Sequence, residues 1–229
     1  MSYKFIGHGV YSLGEAAKLS GVPTRRIRRW MQGYYYTYRD ERRYTPPAIA
    51  SDIANADLSN YVRFADLLEV RFLDAFRSYG VSWKAIRIAA DRAKDLLGRH
   101  HPFSSRIFRT DGRTIIAELV GETGDKHLLD LVRDQWEFDQ VVAPYLYQGI
   151  EYNDLDEPQR WRPLGHDRHV VIDPDISFGA PTIVGRGIPV RIVANAVRAE
   201  DSLDLVARLF DLPPAAVADA VEYDARLSS

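Results

Sequence analysis

The densest run of chemically committed side chains is Thr24-Arg25-Arg26-Ile27-Arg28-Arg29-Trp30, four guanidiniums within five residues. Helical spacing sets Ile27 and Trp30 three apart, as an inward pair, and spreads the four arginines over the outer face. An α-helix fits the major groove of B-DNA, where a bidentate arginine on O6 and N7 of guanine discriminates bases by roughly 1–3 kcal/mol. Thr24, Arg25 and Arg28 are the base-edge candidates, because the first residues of a recognition helix approach the bases most closely. Arg26 and Arg29, with Arg39, Arg42 and Arg43 beyond them, suit phosphates, which position a protein without specifying sequence. Between Thr24 and Arg43 seven arginines face only Asp40 and Glu41, whereas from Ala199 onward seven acids face only Arg208 and Arg226. The net charge of −2 therefore hides one basic and one acidic end that call for different partners.

Other constellations carry less. Cysteine is absent, which excludes disulfides, thiolate zinc sites and cysteine nucleophiles together. His166 and His169 could join a carboxylate around a metal, but in an extended segment positions i and i+3 point to opposite faces, and both read as surface histidines. Gly185-Arg186-Gly187 lacks the spacing of a phosphate-binding P-loop or a dinucleotide fingerprint and reads as a tight turn. His100-His101-Pro102 reads as the exit of a helix. Tyr34-Tyr35-Tyr36 could stack on bases, but strand faces use tyrosine routinely and packing on the hairpin is the expectation. The chain reads as a non-enzyme with no cofactor, no metal and no catalytic residue. A phosphate- or nucleotide-processing enzyme built on the Gly185 loop and the histidines is the rival from another class.

These residues need positioning elements. Ser12-Leu13-Gly14-Glu15 is a capping box that starts a helix, Ser20-Gly21 a sharp turn, and Pro23-Thr24 the start of a second helix running to about Met31. That is a helix-turn-helix. Tyr34–Arg39 and the residues through Thr45 suggest a two-stranded wing, and Ala48–Ser59 a loop or linker. Amphipathic helices follow over Asp66–Tyr79, ended by Gly80, and over Ser82–Leu97, ended by Gly98. Asp111-Gly112 signals a β-hairpin between Arg106–Thr110 and Arg113–Leu119, and Lys126–Tyr145 returns to helical periodicity. The helices over 66–97 and 126–145 offer surface for dimerisation or wrap into the first domain's own core. Glu151–Leu164, with Pro158 and Pro163, is the expected domain boundary. Beyond it, Val170–Ile172 and Pro189-Val190 read as short strands, and helices are expected over Ile192–Arg198, Leu203–Phe210 and Pro214–Arg226. The fold class is α+β, mainly helical: a DNA-binding region over 1–150, a linker over 151–168, and a small domain over 169–229. No apolar run approaches the roughly 18 residues needed to span a bilayer and no signal-peptide layout opens the chain, so a cytoplasmic location is expected.

Two stretches resemble known families. Tyr11–Ala17 with Gly21-Val22-Pro23 and Arg29-Trp30 resembles the winged helix-turn-helix of MerR-type regulators, over about the first forty-five residues. Val171–Pro181 followed by Ile183–Val190, continuing through Leu203–Phe210, Leu212-Pro213 and Val217–Tyr223, resembles the small VapB-like antitoxin domain, formerly a domain of unknown function. It departs from that pattern at Gly187, where threonine is frequent, and over Phe178–Ala180, which is less glycine-rich. The combination resembles longer VapB-type antitoxins. It implies a type II antitoxin that represses its own operon by binding operator DNA and restrains a PIN-like, VapC-like ribonuclease toxin, as a homodimer or a toxin–antitoxin hetero-oligomer. Occlusion of a magnesium-holding acidic cleft makes Arg226 and Leu227 candidates for insertion and Tyr223 for an aromatic anchor. Alternatively the last helix presents a solvated face, and the whole is a ligand-responsive MerR-like regulator with no toxin.

Overall fold

The computed structural model describes residues 9–49, 60–78, 80–108 and 146–228. The expected hairpin around Asp111-Gly112 and the helix over Lys126–Tyr145 lie outside the described residues. The chain divides into two compact units, one of Tyr11–Tyr147 with Asp154–Glu157, the other of Met1–Val10, Gln148–Asn153 and Pro158–Ser229. Among the described residues no helix is long and apolar enough to cross a membrane. The fold is α+β and mainly helical, as expected.

In the first unit, β1 (Val10–Ser12) pairs with β4 (Tyr61–Arg63) and leads into α1 (Leu13–Ser20). The capping box forms: Glu15 N donates to Ser12 Oγ at 3.2 Å, and Ser12 N donates to Glu15 Oε2 at 2.8 Å. Gly21, at φ +75°, closes α1 with a left-handed residue that costs glycine little, and α2 (Thr24–Gln32) follows Pro23. The wing is β2 (Tyr34–Tyr38) against β3 (Glu41–Thr45), in register from Tyr34↔Thr45 to Tyr38↔Glu41. Helices α3 (Phe64–Ser78) and α4 (Trp83–Leu97) complete the scaffold, α4 capped by Ser82 Oγ and ended by Gly98. Ile27, Leu67, Phe72 and Ile86 are almost wholly buried, and Trp30 stacks on Trp83 with centroids 5.8 Å apart. Ala48 and Ile49, expected within a linker, are also buried, and both amides donate to Trp30 O.

In the second unit a four-stranded antiparallel sheet runs in the order β5 (Ile150–Tyr152), β6 (Pro158–Trp161), β7 (Val170–Ile172), β8 (Pro181–Ile183). The stretch 151–168, expected as a linker, thus carries most of β5 and all of β6. Its prolines hide it from periodicity, because Pro158 is tolerated as the first residue of its strand. Of Pro189-Val190, expected as a short strand, only Pro189 is β, in an isolated antiparallel bridge to Thr182. Val190 starts α5 (Val190–Glu200), which is followed by α6 (Leu203–Phe210) and α7 (Pro214–Ser228). Val170, Ile183, Val193, Val206, Val217 and Tyr223 form the core between sheet and helices.

Each unit holds a buried carboxylate network that spans distant sequence. In the first, His101 Nε2 lies 2.7 Å from Asp66 Oδ1, while Glu69 accepts from Phe103 N and Ser104 N. Burial pushes Glu69 above its ordinary range, against the lowering effect of His101 and the two amides. Burial alone would disfavour the imidazolium of His101, but the hydrogen bond and charge of Asp66, with the charge of Glu69, outweigh it and raise its pKa. In the second, Asp219 accepts from His169 N, His169 Nδ1 and Arg168 Nε within 2.9 Å. Burial opposes that charge, yet these bonds and the Arg168 charge hold Asp219 below the usual carboxylate range.

Raised folded pKa values contribute stability that is complete below the unfolded values and fades as pH rises through the folded ones; a lowered carboxylate does the reverse. The units should therefore answer pH oppositely. The melting difference between the parent and His101→Gln should be larger at pH 6 than at pH 9. Asp219→Asn should cost most at neutral pH and progressively less as pH falls below about 4. Calorimetry across pH checks both, and gaps that do not change with pH would contradict them.

Candidate nucleic-acid interface

Helix α2 is amphipathic by necessity. Ile27, Trp30 and Met31 are buried, and Arg25, Arg26, Arg28 and Arg29 are all exposed, with Thr24 half-buried in the first turn. The four guanidiniums are not equivalent. Arg26 Nη1 pairs with Asp74 on α3, and Arg29 lies 3.8 Å above the centre of the Tyr34 ring. Arg25 and Arg28 have neither a hydrogen-bond nor an ion-pair partner among the described residues. Two arginines are thus engaged by the scaffold, and the two proposed from the sequence for base edges stay open to solvent.

The wing repeats this division of labour. Arg42 sits 4.2 Å over Tyr35, and Arg39 and Arg43 sit 5.4 and 5.0 Å from the centre of Tyr38, distances at which the ring quadrupole attracts a guanidinium. Arg43 also pairs with Glu41 at 2.8 Å. The expected packing on the hairpin is met in part: Tyr34 is half-buried and its ring meets that of Tyr36, but Tyr35 is 61% exposed, and Tyr36, Tyr38 and Tyr44 are between 42% and 49%. Among the described residues β2 and β3 form a sheet of two strands alone. Tyr35 and Tyr44 meet across the strands at 4.8 Å, and Tyr44 Oη donates to Gln32 O, tying wing to helix. At that junction Gly33 has φ +72°, and a Cβ there would stand 2.4 Å from Thr45 O and 2.6 Å from the Tyr44 hydroxyl. Only glycine fits.

The basic surface extends beyond the predicted residues. An open cleft of about 560 Å³ is lined by Arg25, Arg26, Arg29 and Trp30 of α2, Tyr34 of the wing, Arg77 of α3 and Trp83 of α4. A second of about 480 Å³ brings Tyr34, Tyr36 and Thr45 beside Lys84 and Arg87 of α4. Periodicity alone assigns α3 and α4 to dimerisation or core. Arg77, Lys84 and Arg87 carry no local motif, and only the fold brings Arg77 beside α2 and Lys84 and Arg87 beside the wing.

The remaining sequence candidates do not converge. His169 is held by Asp219, whereas His166 lies 4.0 Å from Glu151. Among the described residues no group of three or more histidines and carboxylates could hold a metal. Gly185 and Gly187 have positive φ on either side of Arg186, which pairs with Asp211. Tyr223, expected as an interface anchor, is 1% exposed and belongs to the core of its own unit. It is therefore corrected to a packing residue. Leu227 packs half-buried against that core, and Arg226 is exposed on α7.

Residues 9–90 match the family described as "Putative DNA-binding HTH domain", and residues 170–223 match that described as "Protein of unknown function (DUF433)". The chain is 28% identical over 228 residues to a Mycobacterium tuberculosis protein named "Putative antitoxin VapB45", covering 93% of this chain and 92% of that one. It also resembles the crystal structure of Rv2018 from M. tuberculosis, with 25% identity, a TM-score of 0.69, and coverage of 92% of this chain and 96% of that one. The expected resemblance to a VapB antitoxin, with a DNA-binding helix-turn-helix at one end and a domain of a family of unknown function at the other, is borne out.

Gly33→Ala should destabilise the first unit by about 1–3 kcal/mol, the usual cost of a forced left-handed residue, and displace the wing. The expected readout is weaker DNA binding by a protein whose far-ultraviolet circular dichroism keeps its helical signal. Unchanged stability and DNA affinity would show that the junction does not depend on glycine.

Proposed function

We propose that this chain is the antitoxin of a type II toxin–antitoxin pair, which represses its own operon as a MerR-like winged helix-turn-helix and neutralises a PIN-like, VapC-like ribonuclease in the cytoplasm. The observation that carries the DNA half is the pair of guanidiniums, Arg25 and Arg28, that have no ion-pair or hydrogen-bond partner among the described residues, on a helix whose opposite face is locked into a core. A free arginine reaches a guanine edge without first breaking an internal ion pair. Thr24 stands with them at the first turn. Arg26, Arg29, Arg39, Arg42 and Arg43, held by Asp74, Glu41 or tyrosine rings, suit phosphates, whose contacts reward fixed geometry more than reach. Binding as a homodimer or a hetero-oligomer would match a two-fold operator.

The toxin half is supported by the resemblance to a protein named as an antitoxin along nearly the whole chain. A PIN-like nuclease holds magnesium with clustered carboxylates, and burying that cleft would silence it. Arg226, exposed at the end of α7, has the charge to enter such a cleft.

Arg25→Ala combined with Arg28→Ala should weaken operator binding by about 1–3 kcal/mol for each guanine edge that is no longer read, with no change in melting. Arg42→Ala should instead weaken specific and non-specific DNA alike and reduce the slope of log affinity against log salt by about one. Full operator affinity in the folded double variant would overturn the DNA assignment. For the toxin, the adjacent gene's product should arrest growth alone and be silenced on co-expression, and continued arrest would overturn the antitoxin assignment.

A further inference from the structure

The turn after β7 presents the most exposed of the large apolar side chains described, Phe178 at 89%. Nothing among the described residues of the second unit covers it, although the residues around it are firmly built in. Ile176 N donates to Asp173 O, Gly179 N to Ile176 O and Ala180 N to Ser177 O, while Ser177 Oγ donates to Gly187 O at 3.2 Å. Gly179 is buried, and Asp173 is 8% exposed. Ser177 and Phe178 nevertheless adopt φ of +49° and +57°, immediately before Gly179 at +82°. The turn that Gly179 N closes on Ile176 O asks for positive φ at Ser177 and Phe178, and glycine at 178 would supply it without the strain that phenylalanine carries. The turn therefore holds a phenyl ring out in water on a strained, internally hydrogen-bonded loop. That combination marks a site whose conformation serves something outside the fold.

We propose that Phe178 is the anchor by which the second unit docks onto its protein partner, seating in an apolar socket with a basic rim. This rests on the antitoxin reading and supplies an anchor in place of Tyr223, which is core. An aromatic residue on a rigid turn is what dominates interface energetics, because little side-chain freedom is lost on binding. Charge selects the occupant. From Pro158 to Ser229 ten acids face eight arginines, and the exposed groups without an ion pair among the described residues include Asp175, Glu200, Asp201 and Asp204 against Arg191 and Arg208. Asp175 lies three residues from the ring. A second copy docking through the same turn would bring the same acidic surface against this one, and DNA would meet carboxylates with phosphates. A protein that itself binds nucleic acid offers the complementary surface, with cations for phosphates and apolar seats for bases.

Phe178→Gly tests this without threatening the fold, since it removes the ring and relieves the backbone. The full-length variant should melt at the same temperature as the parent or higher and bind operator DNA with parental affinity. Its affinity for the purified product of the adjacent gene, measured by calorimetric titration, should fall by about 30-fold or more. Parental affinity in the variant would overturn the proposal while leaving the antitoxin reading intact. Failure of the parent itself to bind that product would overturn both. Sedimentation of the chain alone supplies the remaining arm: loss of a parental dimer in Phe178→Gly would assign the ring to self-association and overturn the proposal.

Discussion

The first unit depends on how the apolar side of α2 is anchored. A nine-residue helix with four arginines is a poor helix by itself, because Arg25 and Arg28, and Arg25 and Arg29, repel one another at the spacings where side chains meet. Its stability must come from tertiary contacts. Ile27 is wholly buried, Trp30 stacks nearly parallel on Trp83, and the amides of Ala48 and Ile49 both donate to the carbonyl of Trp30. One turn of helix thus joins α2 to α4 and to the segment leaving the wing. Core burial compensates the repulsion, and the cost of crowding cations on one face is met on the other.

The same anchor explains why the basic surface has a division of labour. Arginines whose guanidiniums are fixed lose less side-chain entropy on meeting a phosphate, and in this unit the fixing groups are Asp74 for Arg26 and tyrosine rings for Arg29, Arg42 and Arg43. The exposed tyrosines of the wing then have a reason that needs no base stacking. Tyr35 and Tyr38 offer ring faces to guanidiniums, as the half-buried Tyr34 does to Arg29. Arg77, Lys84 and Arg87 continue the surface on α3 and α4, so the helices that support the helix-turn-helix also contribute charge beside it.

What could be read from the sequence was local. The Ser12–Glu15 box, the turn at Gly21, the inward Ile27 and Trp30, and the two strands of the wing all follow from spacings of one to four residues, and all are present. What escaped was non-local or disguised. Asp66, Glu69 and His101 meet across more than thirty residues, and the histidine has the look of a helix exit. Strands β5 and β6 are short and contain a proline, so they resemble a linker. Tyr223 sits in what reads as an acidic tail, yet Ala216, Ala220 and Tyr223 stand at i, i+4 and i+7, a spacing that declares a buried stripe. The composition of its neighbours points one way and its period the other, and period is the better guide.

Left-handed backbone separates structural from functional strain in both units. Asp201 and Asp211 have positive φ because they cap α5 and α6, where the geometry of a helix end asks for it and aspartate tolerates it. Arg39 and Asp40 have positive φ because a two-residue hairpin loop requires it at both central positions, although Asn-Gly would satisfy the turn at lower cost. The sequence uses arginine instead, and so carries a guanidinium at the tip of the wing. Ser177 and Phe178 are the central residues of the turn that Gly179 N closes on Ile176 O, which asks for positive φ at both, again at lower cost from glycine or asparagine than from serine and phenylalanine. The two places where the described chain accepts a left-handed residue that is neither glycine nor aspartate, the wing tip and the turn after β7, are also where it exposes a cation and a phenyl ring. Strain of this kind persists only where the surroundings over-determine it. In each unit it falls at the part that faces outward.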